Sequence, residues 1–224
     1  MTIDKAAVAR INRQTVDRYD RRLSEKGPGA YALGWGKKRY QTKRFFDLLH
    51  ALPAAEWRGR SVLDVGCGLA DLYPFLRRRG VLLRSYRGAD INPRLLEIAE
   101  GRYPDCRFEE RDIMLAPYRN PVADIVVSLG VINFKTPGHA AYTREFIRRT
   151  FAAARRILVL NAISDVHNDD YPREDFIHYH APAAILSFAQ TLTPFCSLIH
   201  DYEGLPQHEF MLVMRRRPKE TDAL

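Results

Sequence analysis

The stretch SVLDVGCGLAD, residues 61–71, decides the fold. SVLDV is a short run of β-favouring, mostly apolar residues that ends in glycine, and LADLYPFLRRRG (69–80) follows with helical spacing. Downstream the same alternation repeats. RSYRGADI (84–91) reads as a strand and NPRLLEIAEGRY (92–103) as a helix, with Asn92 at its cap and Pro93 in the first turn, where a missing N–H costs nothing. CRFEERDI (106–113) is a third strand. ADIVVSLGV (123–131) is a fourth, nearly all apolar, as a strand covered on both faces must be. A helix over 138–154, the strand RRILVLNAI (155–163) and the helix APAAILSFAQTL (181–192) continue the pattern. FCSLIHDY and HEFMLVMRR, joined by EGLPQ, close it as two strands. Strand and helix alternating in this way predict an α/β fold: a doubly wound, mostly parallel, seven-stranded sheet with a C-terminal antiparallel hairpin.

Upstream, Ala7, Val8, Ile11, Val16, Tyr19 and Leu23 recur at helical spacing within residues 4–23, and a second helix is expected from Lys38 to about Ala51. The glycine- and proline-rich EKGPGAYALGWG between them reads as a loop. The expected organisation is an N-terminal helical cap over 1–55, one α/β domain over 56–217 and a polar tail over 218–224.

Composition narrows the class. Of 224 residues, 46% are hydrophobic and 28% charged, which excludes a disordered or fibrous chain. No apolar run reaches the roughly 18 residues that a membrane helix needs. The opening MTIDKAAVARINRQ has no apolar signal core, and Cys67, Cys106 and Cys196 are odd in number and far apart. A cytoplasmic protein with buried thiols is expected, Cys67 and Cys106 serving as core residues. The net charge of +8 is uneven: residues 1–60 hold 14 Lys or Arg against 6 Asp or Glu, whereas the remainder holds 21 of each. That basic segment is either a solvated face or a lid that meets an anionic group.

In an open α/β sheet, ligands bind beyond the carboxyl ends of the strands. Asp64-Val65-Gly66-Cys67-Gly68, Asp90, Asp112 and Ser128-Leu129-Gly130 with Asn133 all fall there. Asp90 follows Gly68 by 22 residues, the position of a carboxylate that accepts the hydroxyls of a ribose. Asp112, another 22 on, suits an adenine amino group. Two such acids at successive strand ends point to an adenosine-bearing ligand. The dinucleotide fingerprint would need a third glycine where Asp71 stands. Asp64 and Asp71 also flank the turn with negative charge, which repels a diphosphate and attracts a cation. S-adenosylmethionine, with its sulfonium and ammonium, fits that setting. Asp71 itself is expected to complement the helix dipole.

VLDVGCGLADLYPFL, GADINPRLLEIA, RFEERDI and ADIVVSLGVINF, in that order, resemble the successive motifs of class I S-adenosylmethionine-dependent methyltransferases, over roughly residues 60–215. Trp35-Gly36 with Gln41, Arg44 and Phe45 is similar to the helical cap of small bacterial members. The resemblance implies that Asp64 and the Gly66-Cys67-Gly68 backbone hold the methionine end of the cofactor. It implies Asp90 on the ribose, Ile91 along the adenine, Asp112 with Ile113 at the adenine edge, and Leu129 and Gly130 near the sulfonium. Trp35 and Arg44 are implied over the cofactor tail. After the fourth strand stands Asn133-Phe134 rather than the Asn/Asp-Pro-Pro-Tyr run of many base-amino methyltransferases, which disfavours nucleic acid as substrate. The expected activity is methylation of an O, N or C nucleophile on a small, anionic acceptor in specialised metabolism. An RNA methyltransferase and a non-catalytic binding protein of the same fold are the alternatives.

The region NAISDVHNDDYPREDFIHYHAP (161–182) carries His167, His178 and His180 among acidic residues. No pair has a metal-ligand spacing on an assured helix, so no metal is expected. Methyl transfer aligns donor with acceptor and removes at most one proton, which makes His167 and His178 candidate bases and Asn133 a further catalytic candidate. Tyr19, Tyr31 and Tyr40 are expected to line a lid over the acceptor.

Overall fold

Ser61–Val65 (β1), Ser85–Asp90 (β2), Arg107–Glu110 (β3), Ala123–Leu129 (β4) and Ala154–Ile163 (β5) run parallel in the computed structural model, which describes residues 4–166, 171–201 and 204–218. Cys196–Ile199 (β6) and Glu209–Arg215 (β7) complete one sheet in the order β3-β2-β1-β4-β5-β7-β6. β7 is antiparallel to both β5 and β6, as the expected closing hairpin requires. Strand order reverses between β1 and β4, and this switch point opens a crevice at the carboxyl ends.

Alternation along the central strands feeds two cores. Val62, Ile125, Val127 and Val159 pack on one face with Trp57, Leu48 and Phe75. Leu63, Val126, Leu158 and Leu212 pack on the other with Phe146 and Ile147. Every residue of β1 and β4 is buried, which explains the nearly all-apolar reading of β4.

The helices are Lys5–Lys26 (α1), Lys38–Ala51 (α2), Ala54–Trp57 (α3), Leu72–Arg78 (α4), Pro93–Arg102 (α5), His139–Ala153 (α6) and Pro182–Gln190 (α7). Asp4 caps α1 by accepting from the Ala6 and Ala7 amides, and Asn92 caps α5 by accepting from Leu95 N at 3.1 Å. Two expectations shift. The helix expected from Leu69 starts at Leu72, because Leu69 and Ala70 sit in the turn and Ala70 takes a left-handed φ of 56°. α3 is a single added turn whose Trp57 donates its indole N–H to Leu52 O at 2.7 Å.

α1 and α2 lie over the carboxyl ends through a polar seam. Asp112 accepts from Asn12 Nδ2 at 2.5 Å, and Asn92 Nδ2 donates to Asp20 at 2.9 Å. Gln41 Nε2 donates to Asp71 at 3.0 Å, so Asp71 anchors α2 and makes no side-chain cap on α4. Arg44 donates through Nε to Glu209 Oε2 at 2.8 Å and through Nη2 to Oε1; both residues are buried. Asn161 adds a bond to the same carboxylate at 2.9 Å.

Removing one partner of a buried ion pair strands the other charge, at a cost of about 3–5 kcal/mol. Glu209→Ala is expected to lower the unfolding free energy in denaturant titration by that amount. A change below about 1 kcal/mol, typical of exposed pairs, would show that the pair does not hold α2 to the sheet.

Candidate active site

Between the cap and the strand ends lies a cavity of about 940 Å³. Its floor is the turn after β1. Gly66 and Gly68 both have positive φ, 77° and 52°, so neither position accommodates a side chain without strain. A Cβ on Gly66 would stand 2.2 Å from Val131 Cγ2, and one on Gly68 2.9 Å from Leu33 Cδ2. Backbone bonds from Gly66 and Cys67 to Ala89 O, at 2.7 and 3.2 Å, tie this turn to the end of β2.

Parallel pairing sets Asp64 opposite Gly88 and brings Asp90 to the end of the next strand. Asp64 accepts a 2.5 Å bond from Tyr86 OH. Burial pushes its carboxyl up to about 7, Asp90 adds to the rise, and the phenol opposes it. Asp90 accepts from Gly68 N at 2.8 Å and from Asn92 N at 2.9 Å, bracing the glycine turn against α5. Burial lifts its pKa as well, against those amides. Asp112 is pinned by Met114 N at 2.6 Å and by Asn12. Burial, then Asp90 and Asp64, raise the Cys67 thiol well above its ordinary value, so it stays protonated.

At the end of β4, Gly130 has φ 73°, and a Cβ there would meet Trp35 Cη2 at 2.8 Å. Trp35 in turn lies under the Arg44 guanidinium, 4.7 Å from the ring centroid. Asn133 accepts from Ile163 N at 3.0 Å through Oδ1. Beyond it, Phe134 and Phe176 stack at 6.2 Å, and Arg18 stands 4.8 Å from each ring. Tyr19 meets Phe134 edge-on, and its hydroxyl is raised to about 12, first by burial and then by Asp90.

Trp35, Arg44, Asp64, Gly66, Cys67, Gly68, Asp90, Ile91, Asp112, Ile113, Leu129 and Gly130 all line this one cavity. So do Asn133 and the tyrosines Tyr19, Tyr31 and Tyr40. His178 is not among the lining residues: its ring stacks on His139 at 3.6 Å, and its backbone N–H donates to Asn133 O at 2.7 Å. His167 falls outside the described residues. Burial drives His139 down to about 3 and His180 to about 4, so both rings are neutral near pH 7.

Residues 62–154 match a family model described as a methyltransferase domain. Magnesium protoporphyrin IX methyltransferase from Synechocystis, solved with bound S-adenosylhomocysteine, superposes with a TM-score of 0.64 at 18% identity. That match covers 92% of this chain and 95% of the other. The DhpI complex with S-adenosylhomocysteine gives 0.64 at 15% identity, over 93% of this chain and 98% of that one. Residues 62–154 thus carry a methyltransferase domain. S-adenosylmethionine is the methyl donor expected for such a domain. Phosphoethanolamine N-methyltransferase 1 of Haemonchus contortus is also similar to this methyltransferase, with a TM-score of 0.63 and 12% identity, covering 96% of this chain and 52% of that one. No curated protein sequence matches it.

Several residues of the site escape a reading of the sequence. Asn12 and Tyr86 each bond to one of the cavity's acids, yet nothing in their local spacing separates them from polar or core neighbours. Gly88 did carry a signal. A lone glycine inside a strand marks a close approach, and a Cβ there would meet Cys67 Sγ at 2.6 Å.

Asp64 holds its proton up to about 7 in the folded methyltransferase but only to its ordinary 3.8 when unfolded, so stability falls as pH rises through that window. Asp64→Asn is therefore expected to raise the melting midpoint of the cofactor-free protein at pH 8 and to raise it by much less at pH 5. Equal shifts at both pH values would refute the buried, late-ionising carboxyl.

Proposed function

We propose that this methyltransferase transfers the methyl group to an anionic oxygen, nitrogen or carbon nucleophile of a small molecule, bound at the aromatic end of the cavity. The observation that carries this reading is the enclosure of the site. α1 and the loop over 27–37 roof a cavity within the size range of small-molecule sites, and Arg22, Lys26 and Lys37 line it. Much of the remaining basic segment is engaged locally. Lys38 bonds Gln41, Arg44 bonds Glu209, and Arg18 lies over Phe134 and Phe176. An RNA enzyme would instead offer an open basic track. Two of the similar structures are named for small acceptors, magnesium protoporphyrin IX and phosphoethanolamine, which favours the same class here.

In this reading Asp64 and the Gly66–Gly68 backbone take the methionine end of the cofactor and Asp90 the ribose. Ile91, Asp112 and Ile113 hold the adenine, and Leu129 and Gly130 face the sulfonium. Trp35 and Arg44 cover the tail. The acceptor's lone pair forms a bond to the methyl carbon as the carbon–sulfur bond breaks, and S-adenosylhomocysteine leaves with that electron pair. Alignment supplies most of the rate in such a displacement. Asn133 is suited to it: Ile163 N–H occupies its Oδ1, which leaves Nδ2 to donate to the acceptor. An acceptor that arrives ionised needs no base, which suits a site whose cavity His178 does not line. Residues 1–55 act as the cap, with Tyr19, Tyr31 and Tyr40 near the acceptor. The thiols of Cys67, Cys106 and Cys196 are free, which favours a reducing, cytoplasmic compartment, and the small acceptor is assigned to specialised biosynthesis.

The test is release of S-adenosylhomocysteine across a panel of small carboxylates, phenolates, amines and phosphates, with RNA as a separate arm. Turnover is expected with small anions only. Asn133→Ala should keep cofactor affinity while turnover falls by roughly 10–100-fold. Turnover on RNA alone, with binding that weakens steeply with salt, would overturn the assignment.

A further inference from the structure

Behind the acceptor wall, three histidines from two segments converge. His139 opens α6, whereas His178 and His180 stand two apart in the extended segment before α7, a spacing that puts their side chains on one face. That segment is fixed on both sides. Phe134 bridges Ile177, Ser164 bridges His180, and His180 N donates to Ile163 O at 2.8 Å. The ring centroids lie 3.6 Å apart for His139 and His178, 4.7 Å for His178 and His180, and 5.2 Å for His139 and His180. One nitrogen from each ring lies within 4.8 Å of the other two.

We propose that His139, His178 and His180 bind one divalent transition-metal ion of the zinc type. Zinc–nitrogen bonds of about 2.0–2.1 Å lie in each imidazole plane, so the stacked His139 and His178 rings would part and turn until both planes meet at the ion. Imidazole donors without carboxylate partners select such an ion over calcium or magnesium, which take oxygen ligands.

The hydrogen bonds around the rings assign the donor atoms. Ile132 O lies 3.1 Å from His180 Nε2 and can only accept, so that nitrogen carries the proton and Nδ1 keeps its lone pair for a metal. His139 Nε2 is buried with no hydrogen-bond partner, whereas its Nδ1 lies 3.1 Å from Thr136 Oγ1 and 3.2 Å from Thr136 N. In the metal-free tautomer the Thr136 amide donates to Nδ1, which leaves the Nε2 proton buried and unsatisfied at a cost of about 1–3 kcal/mol. Metal at Nε2 removes that orphan. The proton moves to Nδ1, where Thr136 Oγ1 accepts it in exchange for the bond that the Thr136 amide gives up, the outer hydrogen bond that orients a ligating histidine.

The three rings are not among the cavity's lining residues, but Asn133, Phe134, Thr136, Phe176 and Ile177, which flank them in sequence, are. The ion would therefore staple the start of α6 to the segment carrying Phe176 and Ile177 and set the acceptor wall. It would not touch the acceptor. This inference stands apart from the identity of the acceptor, because its readout is binding.

The experiment uses the full chain, stripped with chelator and titrated with Co²⁺ as a visible probe, then with Zn²⁺ in competition. One equivalent per chain is expected, with absorption bands of a low-coordinate nitrogen site and a higher melting midpoint. His139→Ala and His178→Ala should each weaken binding by more than about 10-fold. His178 is only half-buried, so its variant serves if His139→Ala fails to fold. Wild-type affinity in His178→Ala, or less than a stoichiometric equivalent in the unmodified chain, would overturn the site.

Discussion

Two carboxylates removed from water at the ends of neighbouring parallel strands govern this molecule. The groups that act most on Asp64 are its burial, a phenol and a second acid; Asp90 is held by backbone amides. In that setting negative charge is costly until a cation arrives. The pocket thus discriminates by charge. A sulfonium and an ammonium relieve the cost, whereas a diphosphate at the same glycine turn would add to it. The β1–β2 register fixes the spacing of the two acids, and the positive φ values of Gly66 and Gly68 keep the space above them open.

The cap is fastened to groups that line the cavity rather than to a separate surface. Asn12 bonds Asp112, Asp20 bonds the cap residue of α5, and Gln41 bonds Asp71 beside the glycine turn. Trp35 fills the space that Gly130 leaves free, and Arg44 joins it to Glu209 on β7. Closing the roof and shaping the cofactor site are therefore one event. This also accounts for part of the basic excess near the N-terminus. It forms seams, with a few cations remaining along the cavity.

The sheet and the residues that line the cavity at the strand ends were legible because each leaves a strong local mark. β4 is nearly all apolar because both of its faces are covered, and Asn92-Pro93 marks the start of α5. The glycines and acids announce a strand-end site because few other roles need them there. What stayed hidden depends on tertiary contact. The left-handed Ala70 delays α4, a conformation no alanine advertises. Asn12 looks like an ordinary polar helix residue until the cap folds over. His139 lies far in sequence from His178 and His180, so no spacing could link the three rings.

The most direct measurement is the proton count on cofactor binding, obtained by titration calorimetry at pH 6 in buffers of different ionisation enthalpy. If the cofactor's ammonium forces Asp64 to ionise, S-adenosylmethionine should release close to one proton at pH 6 and almost none at pH 8.5, and Asp64→Asn should abolish the difference. Binding with no proton released at pH 6 would contradict the account.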